Sequence, residues 1–123
     1  MNPLDRLEKL IERLIESPFK RLFKTRLHPA DLAKALAAAM ENQQRSDGQG
    51  GFIAPGVYQI ALSEDDYQFL HQKLDLNEEI AALKRYLGGL LVETGGRTEN
   101  GLRISIQPRP GLLRGQIEIT NDE

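Results

Sequence analysis

Ser63 is followed by three consecutive acids, Glu64, Asp65 and Asp66, in the stretch YQIALSEDDYQFL. Carboxylates grouped in this way are the raw material of a cation site or of general acid–base chemistry. Their setting argues for a different task. The serine hydroxyl can accept a hydrogen bond from the Asp66 amide while the Asp66 carboxylate reaches back to the Ser63 amide. Such a capping box also sets negative charge against the positive end of a helix. Glu64 and Asp65 point in different directions on that helix, and no histidine or further acid stands at coordinating spacing nearby. His28 and His71 are far apart, each without a second nitrogen or carboxylate at a ligand spacing. Ser17, Ser46, Ser63 and Ser105 lie outside any nucleophile-elbow sequence, and no phosphate-cradling loop pattern is present. No set of groups fills the roles that an active site requires, so the chain reads as non-catalytic, without metal or cofactor.

Two other groups of residues suit binding. KRLFKTR carries Lys20, Arg21, Lys24 and Arg26 with no acid among them, interleaved with Leu22 and Phe23 and preceded by Phe19. Such a segment suits an acidic partner protein or peripheral contact of residues 19–26 with an anionic membrane, although four charges make a weak anchor alone. Near the C-terminus, Arg103, Ser105 and Gln107 alternate with Leu102, Ile104 and Ile106, and Arg114, Gln116 and Glu118 alternate with Leu113, Gly115, Ile117 and Ile119. Alternation of this kind gives a strand one apolar and one polar face, so Arg103, Ser105, Gln107, Gln116 and Glu118 form a candidate contact surface. Thr98, in the glycine-rich stretch TGGRTENG, is the candidate phospho-acceptor, on the expectation of an exposed loop.

The elements that must position these residues follow from periodicity. Leu4, Leu7, Leu10, Ile11, Leu14 and Ile15 recur at helical spacing, and Pro18 breaks or restarts that helix. Its apolar stripe serves equally for packing on its own core or across a dimer, so oligomeric state is left open. LHPADLAKALAAAMENQQ begins a second helix at Pro29, with Asp31 in the first turn and Leu32, Leu36 and Met40 as its buried stripe. RSDGQGG reads as a flexible loop. Val57 to Leu62 then forms a strand with Tyr58, Ile60 and Leu62 on one face. A short helix from Glu64 to about Lys73 follows, then a longer one capped by Asn77 and carrying Ile80, Leu83, Leu87, Leu90 and Leu91. Its Gly88-Gly89 pair predicts close packing, since each glycine costs about 1 kcal/mol relative to alanine. PRPG turns the final two strands into an antiparallel hairpin. The sum is an α+β domain, order α-α-β-α-α-β-β, with helices on one face of a small three-stranded, largely antiparallel sheet.

The chain has 123 residues, one domain's worth, with an ordinary globular balance of 40% hydrophobic and 28% charged residues. Net charge is -2, but residues 1–28 carry +3 and residues 29–123 carry -5, a mild bipolarity. The absence of cysteine leaves nothing to argue for secretion, and Asp5, Glu8 and Glu12 interrupt any signal-peptide core, so the cytoplasm is the expected compartment.

The order strand, helix, helix, strand, strand over residues 57–120 matches that of KH domains, which grip single-stranded nucleic acid through a GXXG loop. The corresponding connection, HQKLDLNEE, contains no glycine, so nucleic-acid binding stands as the alternative function and not the first. FKRLF, LHPADLAKALAAAM, FIAPGVYQIALSEDDYQFL and GLRISIQPRPGLLRGQIEI, in that order and spacing, resemble the N-terminal domain of FhaA-type bacterial proteins. Pro55, Tyr58, Leu62, Ser63, Asp66 and Tyr67 fit the pattern of that family; Gly56 stands where it usually has Asn, and Glu64 where it has Pro. The resemblance implies a regulatory, protein-interacting module spanning residues 1–123. It further implies that the module accompanies a phosphothreonine-reading forkhead-associated domain in Ser/Thr-kinase signalling linked to cell-wall or division control. No forkhead-associated domain lies within these residues.

Overall fold

A computed structural model describes residues 27–122, and the candidates Lys20, Arg21, Lys24 and Arg26 lie outside them, as does the first expected helix. Helix α1, Pro29–Gln43, starts as a strong cap dictates. The His28 Nδ1 accepts from the Ala30 amide at 2.9 Å while the Asp31 carboxylate accepts from the His28 amide at 2.8 Å, with Pro29 in the first turn where its missing N–H costs nothing. Leu32, Leu36 and Met40 are buried as expected, and Ala33 and Ala37 are buried beside them.

Strands β1, Arg45–Ser46, and β2, Phe52–Ile53, come next, followed by β3, Val57–Leu62. Helix α2, Glu64–Lys73, is capped by Ser63, whose Oγ accepts from the Asp66 amide at 3.0 Å. Helix α3, Leu76–Thr94, is capped by Asp75 and not by Asn77: the Asp75 Oδ1 accepts from the amides of Asn77 and Glu78 at 3.0 and 3.4 Å. It ends at Gly95, whose φ of 76° is the left-handed value that favours glycine at this position. The chain continues through β4, Gly96–Arg97, β5, Arg103–Pro108, and β6, Ile117–Asp122.

The main sheet has the order β5-β3-β6, with β3 parallel to β5 and antiparallel to β6. It is therefore mixed, and the expected hairpin between the last two strands does not form. The reason is burial. In β3, Tyr58, Ile60, Ala61 and Leu62 have no exposed surface, and a strand so apolar belongs at the centre. Residues 109–116 carry the chain past β3 to its far side, and Arg109 extends the β5 pairing by donating to the Leu62 carbonyl at 2.9 Å. Leu113, expected in the last strand, lies in this crossing and is 69% exposed. The parallel β3–β5 pair is connected through α2 and α3, the long crossover that parallel strands need.

A second three-stranded sheet, β1-β2-β4, takes β1 and β4 from the two stretches expected as loops and β2 from the residues just after the first of them. The 45–51 loop is fixed by Asp47, whose Oδ1 accepts from the Gln49 and Gly51 amides at 2.7 and 3.1 Å. These bonds hold its carboxyl below the usual range.

Tyr58, Leu32, Leu36, Ile60, Leu62, Leu70 and Leu87 form the centre of the core, between the helices and one face of the main sheet. The Gly88-Gly89 pair does not permit a close approach. A β-carbon on Gly88 would find its nearest neighbour, Leu102 Cδ1, at 4.0 Å, and one on Gly89 would face open space. Among the described residues no helix is long and apolar enough to cross a membrane.

Candidate functional site

The outer face of the main sheet collects most of the expected contact residues. Arg103, Ser105 and Gln107 are exposed along β5, and Glu118 is exposed on β6. In register, Ser105, Gln59 and Thr120 form one row across the three strands, and Gln107, Ala61 and Glu118 form the next. Thr120 Oγ1 donates to Gln59 Oε1 at 3.3 Å, and Arg109 pairs with Glu118 across the crossing. Gln59 and Thr120 thus belong to the surface but were not among the expected residues; the alternation of VYQIAL carries the signal for Gln59. Gln116 does not belong. It sits in the turn before β6, where its Oε1 accepts from the Leu113 amide at 2.7 Å and its own amide donates to the Leu113 carbonyl at 2.9 Å.

At the start of β5 this face opens into a cleft of about 460 Å³ between the two sheets, lined by Arg45, Ala54, Gly56, Glu99, Asn100 and Arg103. Arg45 and Glu99 form an exposed ion pair at 3.1 Å that closes one side. Arg103 has no ion-pair partner among the described residues, which leaves a guanidinium with five donors at the junction of cleft and sheet face. Backbones meet closely behind it, since a β-carbon on Gly56 would lie 2.4 Å from the Gly101 carbonyl oxygen. Thr98 is half-buried and turned toward Gly56, not the exposed loop residue expected.

The acids of the opening stretch divide. Glu64 and Asp65 are exposed at the helix start, with Asp65 3.5 Å from Arg114. Asp66 is 1% exposed, and its carboxylate does not complete a capping box: Oδ2 accepts from the Gly115 amide at 2.7 Å, tying α2 to the turn before β6 across 49 residues. His71 stacks on Tyr67, with centroids 5.9 Å apart and planes 6° from parallel. Among the described residues no cluster of three or more histidines or acids is placed to hold a metal ion. Between α2 and α3, where a KH domain carries its phosphate clamp, stand only Leu74 and the helix-capping carboxylate of Asp75. An anionic backbone would meet a negative charge there.

The profile of the FhaA N-terminal domain matches residues 4–120. The chain belongs to the FhaA N-terminal domain family. A solved structure titled "Rv0020c_Nter structure" resembles this fold with a TM-score of 0.72 at 20% sequence identity, over 84% of this chain and 76% of that one. At such identity the likeness concerns the fold. A search of the curated proteins found no match. In this FhaA N-terminal domain, Tyr58, Leu62, Ser63 and Asp66, which carried the resemblance, are all buried. Tyr58 and Leu62 belong to the core, and Ser63 and Asp66 fix the start of α2 through the Ser63–Asp66 and Asp66–Gly115 hydrogen bonds.

Proposed function

We propose that this FhaA N-terminal domain is a non-catalytic protein-interaction module whose contact surface is the β5 side of the main sheet and the cleft at its end. One observation carries the reading: Arg103, without an ionic partner among the described residues, sits where the cleft joins an exposed polar strand at the sheet edge. An edge strand can take an extended segment of another protein beside it, and a guanidinium accepts a carboxylate in a bidentate pair. The partner is therefore a protein with an acidic, extended segment. In its cellular setting the module works in the cytoplasm beside a forkhead-associated domain that reads phosphothreonine. There it positions that domain for Ser/Thr-kinase signalling in cell-wall or division control.

The test is quantitative capture of partners from the source cells by the wild type, by Arg103→Glu, and by Val92→Glu. Val92 is 80% exposed on α3, away from the cleft, and controls for added charge. Partners lost with Arg103→Glu and kept with Val92→Glu support the assignment, whereas equal recovery by all three proteins removes it. Fluorescence anisotropy of labelled single-stranded oligonucleotides at low salt addresses the KH-like alternative, and a flat titration is expected.

A further inference from the structure

Asn100-Gly101 is the one Asn-Gly pair in the chain, and it lines the cleft that holds Arg103. An asparagine before a glycine carries its own electrophile and nucleophile. The backbone nitrogen of the glycine can attack the side-chain carbonyl carbon, and a residue without a β-carbon leaves that nitrogen unshielded. Both residues are exposed, and among the described residues neither the Asn100 side-chain amide nor the Gly101 backbone amide makes a hydrogen bond. Asp47-Gly48 supplies the contrast. The Gly48 nitrogen donates to Ser46 Oγ at 3.1 Å, and the Asp47 carboxylate is held by the Gln49 and Gly51 amides, which keep it ionised and a poor electrophile. Asn42, Asn77 and Asn121 are set in α1, α3 and β6, each followed by a residue other than glycine.

We propose that Asn100 deamidates through a succinimide and that the carboxylate left in the cleft masks Arg103. The Gly101 nitrogen bonds to the Asn100 Cγ and gives up its proton, the side-chain nitrogen departs as ammonia, and water opens the ring at either carbonyl. Nothing besides water is consumed. Opening at one carbonyl leaves an aspartyl residue; opening at the other leaves an isoaspartyl residue, with the β-carbon now in the main chain. Either product turns a neutral amide into a carboxylate in a cleft whose other charges are Arg45, Glu99 and Arg103. Because Arg45 is paired with Glu99, the Arg103 guanidinium is the cation left to meet it. The isoaspartyl form also lengthens the backbone just before the Gly101 carbonyl, which lies against Gly56, and the Gly56 carbonyl accepts from the Arg103 amide at 2.7 Å. The consequence rests on the reading of the cleft as the contact surface: an internal carboxylate there competes with the partner's acidic segment, so binding fades as the protein ages.

Peptide mapping by mass spectrometry of the full chain, aged in mildly alkaline buffer, tests the chemistry. Asn100 is expected to convert to the aspartyl and isoaspartyl forms many-fold faster than Asn42, Asn77 and Asn121. Asn100→Gln, which cannot close the succinimide, is expected to abolish labelling by protein isoaspartyl methyltransferase. Conversion at Asn100 no faster than at the other asparagines, or label retained in Asn100→Gln, overturns the site. Asn100→Asp tests the masking without any partner: followed by NMR, its new carboxylate should titrate about one pH unit lower than in the double variant that adds Arg103→Gln. Coincident titrations overturn the masking. Partner recovery indifferent to Arg103→Glu would refute the contact surface instead, while the peptide map alone still decides the chemistry at Asn100.

Discussion

Replacement of Asp66 by alanine removes the acceptor that joins α2 to the turn at Gly115. Its carboxylate is 1% exposed, and the bond to the Gly115 amide is 2.7 Å long. A hydrogen bond to a charged group contributes about 1.5–3 kcal/mol, and a carboxylate in the first turn of a helix a further ~0.3–1 kcal/mol. Asp66→Ala is therefore expected to destabilise the domain by about 2–4 kcal/mol, within the ~5–15 kcal/mol available to a domain of ordinary stability. Asp66→Asn keeps an acceptor oxygen and loses the charge, so about half that loss is expected. With a urea dependence of about 2 kcal/mol per molar, the alanine variant unfolds about 1–2 M earlier than the wild type. Hydrogen exchange adds a local readout: the Gly115 amide loses protection in Asp66→Ala and keeps part of it in Asp66→Asn. An unfolding midpoint within about 0.3 M of the wild type, together with unchanged exchange at Gly115, would refute the reasoning.

Three further substitutions follow from the packing. Gly89→Ala, mid-helix with nothing within 4 Å of the added carbon, should stabilise by about 0.5–1 kcal/mol in the same urea assay. Tyr58 has a buried hydroxyl without a hydrogen-bond partner among the described residues, and burial pushes its pKa up to about 12 from 10.0. Tyr58→Phe should therefore be neutral or stabilising at neutral pH. Because the folded pKa is raised, the wild type keeps its stability below pH 10 and loses it as pH climbs toward 12, by on the order of 2–3 kcal/mol. An alkaline melting series should show that loss in the wild type and not in Tyr58→Phe. Burial lowers the pKa of His28, against the opposing charge of Asp31, and its Nδ1 must be unprotonated to accept from Ala30. Stability present above pH 6.5 is accordingly lost as pH falls through the lowered folded value, and His28→Asn, which keeps a cap without a titration, should flatten that acid limb.

What could be read from the sequence was local. The Pro29 start, the Leu32-Leu36-Met40 stripe and the alternation of β3 rest on neighbours a few residues apart, and each stands in the structure. The order of the main sheet was not legible, because a Pro-Gly stretch between two alternating runs is also how a hairpin looks. Only the burial of Ala61 as well as Tyr58, Ile60 and Leu62 sends β3 between the other two. Strands of two residues, such as Arg45–Ser46 and Gly96–Arg97, are too short to carry a period at all. Asp66 looked like half of a local cap because its true partner, Gly115, is 49 residues away. The same distance effect hid the cleft. Arg103 was visible as a polar strand residue, but residues 45, 54, 56 and 99–101 reach it only through the second sheet.

The contact surface is tested most directly by mapping backbone amide shifts of the labelled domain on addition of a captured partner, with its affinity measured in parallel for Arg103→Glu. Perturbations confined to β5, Gln59 and the cleft residues, with binding weakened tenfold or more (about 1.4 kcal/mol per decade), are the predicted result. Perturbations centred elsewhere, or an affinity unchanged by Arg103→Glu, would contradict the assignment of this face.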